Sequence, residues 1–302
     1  MKTKPPGPSR TARTPQNVDR VRDAIQRSPG RSARRHATEL GLSKSTVKRI
    51  LHKDLGFHPY KIMIVQKLND ADYQQRVMFA ETMLNMFEEN DDIKILMSDE
   101  AHFHLDGTVN KQNCRYWALE NPRELHQRPL HSQKVTVWCA VGKFGIFGPF
   151  FFEENERTVT ITSERYVNMM TNFFIPELER QGIDPDHVWF QQDGATAHTA
   201  RASMAAVRAL FPGRLISRFG DVAWPPRSPD LSMCDFFLWG HLKANVYKEK
   251  PRTQEELKNA IRYQIELINE QLLIKVETSF RERLNMCVNS NGRHLGDVIF
   301  KK

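Results

Sequence analysis

His187-Val-Trp-Phe-Gln-Gln-Asp193-Gly194 is a short apolar run that stops on an aspartate and a glycine. An apolar run of this length, bounded by turn residues, is the pattern of a strand buried on both faces. The chain contains two related passages. Ile95-Leu-Met-Ser-Asp99-Glu100 repeats the arrangement, and Ser228-Pro-Asp230-Leu-Ser-Met-Cys-Asp235-Phe-Phe-Leu-Trp239 sets acids between a Pro-rich turn and a helical pattern. Aspartate is a poor strand former, so its place at strand ends needs a reason. Carboxylates gathered by a fold are what magnesium-dependent phosphoryl transfer requires, because Mg²⁺ takes oxygen ligands, usually one or two carboxylates plus phosphate oxygens. Two such ions about 3.5–4 Å apart stabilise both the attacking and the leaving oxygen.

Outward from these passages the patterns alternate. Strands are expected at Ile93–Leu105, Cys114–Ala118, Lys134–Gly142 and Gly145–Phe152, with a short edge strand at Leu215–Phe219. Helices are expected at Asp70–Asn90, at Ser163–Gln181 from a serine cap, at Thr199–Leu210 and at Asp235–Val246. One or two more fall in Arg252–Cys287, with Leu257, Ile261, Ile265, Leu272 and Val276 inward. In the 70–90 helix, Val77, Ala80, Met83, Leu84 and Phe87 form an apolar stripe, read as core. Adjacent strands followed by alternating strands and helices indicate a mixed α/β sheet.

The N-terminal part differs in charge. Residues 1–68 hold 16 Lys+Arg against 4 Asp+Glu, a net of +12; the whole chain is +8, so the remainder carries −4. A local basic block is the electrostatic footprint of nucleic-acid binding. It also has helical periodicity: Val18, Val21 and Ile25; then Ala33, Ala37 and Leu40; then Thr46, Val47, Ile50 and Leu51. Gly41 supplies the positive φ of a tight turn, and Ser43 or Ser45 caps the third helix. This reads as helix-turn-helix, with Arg34, Arg35, Lys44, Ser45, Thr46, Lys48, Arg49 and His52 as the DNA-facing set. No apolar run approaches the ~20 residues of a membrane helix. The four cysteines are scattered without a CxxC pair, which excludes a zinc ribbon or disulfide scaffold and fits a reducing compartment. His102 and His104 share a strand face, but a zinc site there lacks a visible companion pair.

Asp99, Asp193 and one of Asp230 or Asp235 are the candidate acids; Asp230, just after Pro229, also suits a turn or cap. Together, Ser98-Asp99-Glu-Ala-His-Phe, Gln192-Asp193-Gly-Ala-Thr-Ala-His198-Thr and Trp224-Pro-Pro-Arg-Ser-Pro-Asp230-Leu…Asp235-Phe-Phe-Leu-Trp-Gly resemble the mariner-like transposases, over roughly residues 14–299. The resemblance implies an RNase H-like catalytic core and assigns catalysis and metal binding to Asp99, Asp193 and Asp235, with Glu100 and His198 beside them. It implies two Mg²⁺ ions, with Mn²⁺ able to substitute. The implied reaction hydrolyses a phosphodiester at a transposon end, after which the freed 3′-hydroxyl attacks a TA target. The implied partners are terminal inverted repeats, target DNA and a second copy of the chain, without a membrane; the implied location is the nucleus.

The stretch 194–234 is longer than its counterpart in better-known mariner members, and Met233 stands where proline is common. Only the second of the family's two helix-turn-helix units is present, so the chain resembles an N-terminally truncated copy. The expected layout is a disordered basic arm at 1–15, a helix-turn-helix module at 16–57 and a linker with a connecting helix at 58–90. The catalytic domain follows at 91–250, then C-terminal helices packed on it at 251–302. Residues 118–134 fall where the family has a loop that reaches the partner subunit. The rival readings are a catalytically silent, domesticated DNA-binding protein and a metal-dependent nuclease that cuts without joining.

Overall fold

The computed structural model describes residues 12–58, 66–105 and 133–295. Most of the expected basic arm, the strand at 114–118 and nearly all of the loop at 118–134 lie outside the described residues. Contacts divide the chain into two compact units, Met1–Ile64 and Val65–Lys301.

The first unit contains α1 (Pro15–Arg27), α2 (Ala33–Leu40) and α3 (Lys44–Arg49), the last running into a π-helical turn at Ile50–Asp54. Each helix starts on a hydroxyl: Thr14, Ser32 and Ser43 accept the N–H of Asn17, Arg35 and Thr46, each satisfying a donor that has no partner inside the helix. Ser43, not Ser45, therefore caps α3. Gly41 closes α2 at φ +66°. Val21, Ala37, Val47 and Ile50 form the core of this unit.

The second unit opens with α4 (Asp70–Glu89), fixed by a capping box between Asn69 and Asp72. Its sheet has six strands in the order β3-β2-β1-β6-β7-β8. β1 (Lys94–His104), β2 (Lys134–Gly142) and β3 (Gly145–Phe151) are antiparallel neighbours. A small hairpin follows, β4 (Glu153–Glu154) with β5 (Arg157–Thr158). The chain then passes through α5 (Ser163–Met169), a π-helical turn at Met170–Phe174 and α6 (Ile175–Arg180). Thr162, rather than Ser163, supplies the cap of α5.

β6 (Val188–Gln191) returns parallel to β1. Next come α7 (Thr196–Thr199), α8 (Arg201–Leu210), β7 (Leu215–Ser217) and β8 (Val222–Ala223). The expected edge strand is therefore interior: β8 pairs with β7 and forms the edge. After a π-helical turn at Cys234–Leu238 come α9 (Trp239–Val246), α10 (Gln254–Glu266) and α11 (Glu270–Asn289).

Alternation along the strands supplies two cores. Val135, Val137, Cys139 and Val141 of β2 pack with Met83, Leu242, Ile261 and Phe280 from α4, α9, α10 and α11. Trp138 and Ala140 face the other way, among Tyr166, Phe174, Leu178 and Val207 from the α5–α6 segment and α8. Each buried large apolar side chain contributes roughly 1.5–3 kcal/mol relative to exposure. A sheet covered on both faces is what the continuous apolar runs require. On α11 the core position is Leu273, with Leu272 half-buried. Among the described residues no helix is long and apolar enough to cross a membrane.

Candidate catalytic site

β1 and β6 pair only as far as Met97 and Gln191. Beyond this point the strands part, and the chain fills the gap with polar groups. Ser98 Oγ donates to Gln191 O at 2.8 Å, and Tyr166 OH donates to Gln192 Oε1 at 2.7 Å. Asp193 leaves β6 into this opening. Asp99 lies within β1 rather than at its end, opposite Cys139 of β2; β1 continues to His104, so the expectation of a strand-terminal aspartate is corrected here.

Asp235 arrives from the π-helical turn before α9. Two groups pin that turn to β1 next to Asp99: Met233 N–H reaches Met97 Sδ at 3.4 Å, and Cys234 Sγ reaches Met97 O at 3.2 Å. Proline at 233, lacking an N–H, would forfeit the first contact. Trp239 Nε1–H, one helical turn beyond Asp235, donates to Asp99 Oδ2 at 2.7 Å.

His198 is buried between two acids. Its Nδ1 lies 2.6 Å from Asp193 Oδ1 and its Nε2 lies 3.0 Å from Glu100 Oε1. Burial alone would lower its pKa, but the charge of Glu100 and the bonds to Asp193 and Glu100 outweigh that and raise it to about 10. Both ring nitrogens then donate, as an imidazolium. Burial would likewise raise Asp193, yet His198 and the Ala195 N–H bring its pKa below the usual carboxylate range.

The other two acids behave in the opposite way. Burial first, then Asp235 and Glu100, hold Asp99 well above the ordinary value. Burial, reinforced by Asp193, pushes Asp235 up to about 6 against the opposing effects of the Ser232 hydroxyl on its carboxylate and of the Lys243 charge. One of the three acids is thus neutralised by the protein and two are not. An oxygen-only donor set with uncompensated negative charge fits a hard divalent cation. Among the described residues, no three His, Cys, Asp or Glu side chains close around a common point. The same observation leaves His102, bonded to Thr136 Oγ1, and His104 without a third zinc ligand.

Asp230 belongs elsewhere. Arg76, fully buried on α4, grips both of its carboxylate oxygens, at 2.8 and 2.7 Å, and also donates to Ser228 Oγ and Gly292 O. Gly292 has φ +77°, and a Cβ there would fall 2.2 Å from Tyr73 O, so only glycine brings that carbonyl to Arg76. Asp230 is thus taken up by a buried guanidinium, whereas Asp235 is the one whose charge acts on Asp99 and Asp193. Trp239, Arg76 and the Cys234 contact escaped the sequence reading. Trp239 was visible only as part of an aromatic helix.

The proposed DNA-facing residues lie on the first unit. Arg34, Arg35, Lys44, Ser45, Lys48, Arg49 and His52 are exposed, opposite buried Val47 and Ile50. Thr46 is half-buried, and its hydroxyl is bonded to Ser43.

No family model matches this chain. The chain is 22% identical over 284 residues to the human histone-lysine N-methyltransferase SETMAR, with 91% of this chain and 39% of that protein aligned; it spans about two fifths of that relative's length. Among solved structures it is similar to the Mos1 transposase paired-end complex with left transposon end, with a TM-score of 0.70, 18% identity, and 97% and 83% of the two chains covered. The Mos1 mariner paired end complex with Mn gives a TM-score of 0.69 at 19% identity, covering 100% and 82%. The catalytic domain of Mos1 mariner transposase gives 0.57 at 20% identity, covering 77% and 99%. These likenesses establish the fold, a mixed α/β sheet flanked by helices.

Proposed function

We propose that this protein is a mariner-like DNA transposase that binds transposon ends and cuts and joins DNA at the site formed by Asp99, Asp193 and Asp235. One observation carries the reading. On a fold like that of Mos1 transposase, Asp99, Asp193 and Asp235 lie near enough for Asp235 to feel both other charges, and the protein pairs only Asp193 with a buried cation. Asp99 and Asp235 would hold the metal, with Asp193 completing the set. His198 orients Asp193 and ties it to Glu100; Trp239 orients Asp99. When bound, two Mg²⁺ ions, replaceable by Mn²⁺, supply charge stabilisation at the attacking and leaving oxygens of an in-line phosphoryl transfer. The exposed face of α3 would read the terminal repeat, with phosphate contacts from Arg34, Arg35, Lys48 and Arg49 and base contacts near its N-terminus. The protein would act in the nucleus as a homodimer, joining the cut end to a TA target.

The test is cleavage of a duplex carrying the element's terminal repeat, with Mg²⁺ and with EDTA, comparing the natural chain with Asp235→Asn and with the surface control Glu179→Gln. The expected result is Mg²⁺-dependent cleavage that Asp235→Asn abolishes and Glu179→Gln retains. Repeat binding without cleavage would overturn the catalytic reading and leave a silent DNA-binding protein. A labelled 3′-end that is cut but never joined would indicate a nuclease.

A further inference from the structure

The described residues contain a basic cleft apart from the acid site. It has a volume of about 560 Å³ and is lined by Lys134 at the start of β2, Arg157 on β5 and Arg252 just before α10, with Glu156 as its acidic member. Neighbouring charges are engaged with one another. Glu153 pairs with Lys258, Glu154 with Arg165, and Glu255 with Arg262; Glu256 accepts the Arg252 backbone N–H. Among the described residues, the side chains of Lys134, Arg157 and Arg252 have no ion-pair partner. The Thr158 hydroxyl bonds to the Lys134 carbonyl, which fixes the hairpin, and with it Arg157, beside β2. Three unpaired cations converging on one cleft from three separate elements have the donor chemistry of a phosphate site.

We propose that Lys134, Arg157 and Arg252 form a subsite that grips the DNA phosphate backbone at a distance from the scissile bond. The proposal rests on the DNA-processing reading above. Lys134 pairs across the sheet with His104, on the strand that carries Asp99. The run from Asp99 to His104 spans about 17 Å at strand rise, which corresponds to about five base-pair steps at ~3.4 Å each. A contact there fixes the duplex against the acids without reading its sequence.

The test is the salt dependence of binding by the full chain to a fluorescein-labelled duplex of arbitrary sequence. Each lost phosphate contact reduces the slope of log K against log salt by about 0.9, so Arg157→Gln/Arg252→Gln should reduce it by about 1.8. Between about 50 and 200 mM salt, the affinity lost by this variant should then be about 12-fold smaller than that lost by the natural chain. Arg157→Lys/Arg252→Lys should restore the slope, as a charge contact does and a shape effect does not. Arg252→Gln alone, with an expected change of about 0.9, keeps the test available if the double variant misfolds. An unchanged slope, with the natural chain still bound in a salt-dependent manner, overturns the subsite and spares the DNA reading. Salt-independent or absent binding by the natural chain overturns both.

Discussion

Replacing Arg76 with methionine should destabilise the second unit by about 3–5 kcal/mol, the usual cost of removing one partner from a buried ion pair. The magnitude follows from what is left behind. Arg76 is fully buried and Asp230 is 9% exposed by side chain. The guanidinium makes two bonds to the carboxylate and one each to Ser228 Oγ and Gly292 O. Methionine fills much of the same space and satisfies none of these acceptors. The Asp230 carboxylate keeps the Leu295 N–H, at 3.3 Å, and His294 Nδ1, at 3.9 Å, long contacts that cannot replace a bidentate cation.

Urea denaturation of the natural and variant chains measures the difference, and the melting temperature should fall by about 10 °C at ~2–4 °C per kcal/mol for a unit of this size. The double variant Arg76→Met/Asp230→Leu removes both charges and should recover most of the loss, because a buried pair exchanged for apolar groups is often neutral or better. A single-variant loss under about 1 kcal/mol, the range of an exposed pair, would refute the reasoning. So would a double variant no more stable than the single.

Asp235→Asn should do the opposite in metal-free protein. The folded pKa of about 6 lies above the ordinary 3.8, so the stability linked to this group is fully present below 3.8 and is lost as pH rises through about 6. Asp235 keeps an exposed side although protein surrounds its carboxylate, so the full conversion of about 3 kcal/mol is scaled for solvent screening to about 1–2 kcal/mol. Urea melts in EDTA should show the asparagine variant stabilised at pH 8 and matched to the natural chain below pH 3.8; equal stabilities at pH 8 would contradict the burial argument. Trp239→Phe keeps the ring packed but loses the bond to Asp99, and cleavage should fall about 10–100-fold with little change in melting temperature, the scale for groups that orient metal ligands. Unchanged cleavage would remove Trp239 from the site. His198, with a pKa raised to about 10 from 6.5, contributes stability that is fully present below pH 6.5 and lost as pH rises through about 10. Melting temperatures across that window should decline in the natural chain and decline less in His198→Gln; parallel declines would show that the imidazolium is not the source.

The elements that were legible from the sequence are those whose signal is local. Lys134–Gly142 is a strand buried on both faces, and its unbroken apolar run marks its ends to the residue. The serine cap of the third helix, at Ser43 or Ser45, and the turn at Gly41 in the first unit follow equally from short-range rules. What local pattern hides is pairing over distance. Arg76 looks like a solvent-facing cation on an amphipathic helix, because nothing within a helical turn of it shows that Asp230 will fold against it. β8 has only two residues, too few for any periodicity. The expected strand at Ile93–Leu105 runs through Asp99, as β1 does; what the sequence hides is how the strand carries that polar group, with Cys139 opposite it and Trp239 Nε1–H donating to its oxygen.

Asp230 and Asp235 show why residue type alone does not identify a metal ligand. They share one short segment, and either suits an acidic motif. Asp230 is largely enclosed by protein and Asp235 keeps an exposed side, yet burial weighs on both carboxylates, so both face some cost of desolvating a charge. For Asp230 the fold supplies the counter-charge, and the buried guanidinium from α4 makes that acid part of the framework. For Asp235 the Ser232 hydroxyl and the charge of Lys243 do not offset burial and the Asp193 carboxylate, and its pKa stays raised. An acid left in that state destabilises the protein unless something else brings positive charge. The same contrast separates Asp193, met by the His198 imidazolium, from Asp99, met by the neutral N–H groups of the Trp239 indole and the Glu100 backbone. The two acids whose pKa stays raised, Asp99 and Asp235, are held together by the Met233 and Cys234 contacts to Met97. The fold therefore leaves a deficit of positive charge around Asp99 and Asp235 and corrects it at Asp193 and Asp230, which is the asymmetry that the proposed metal site draws on.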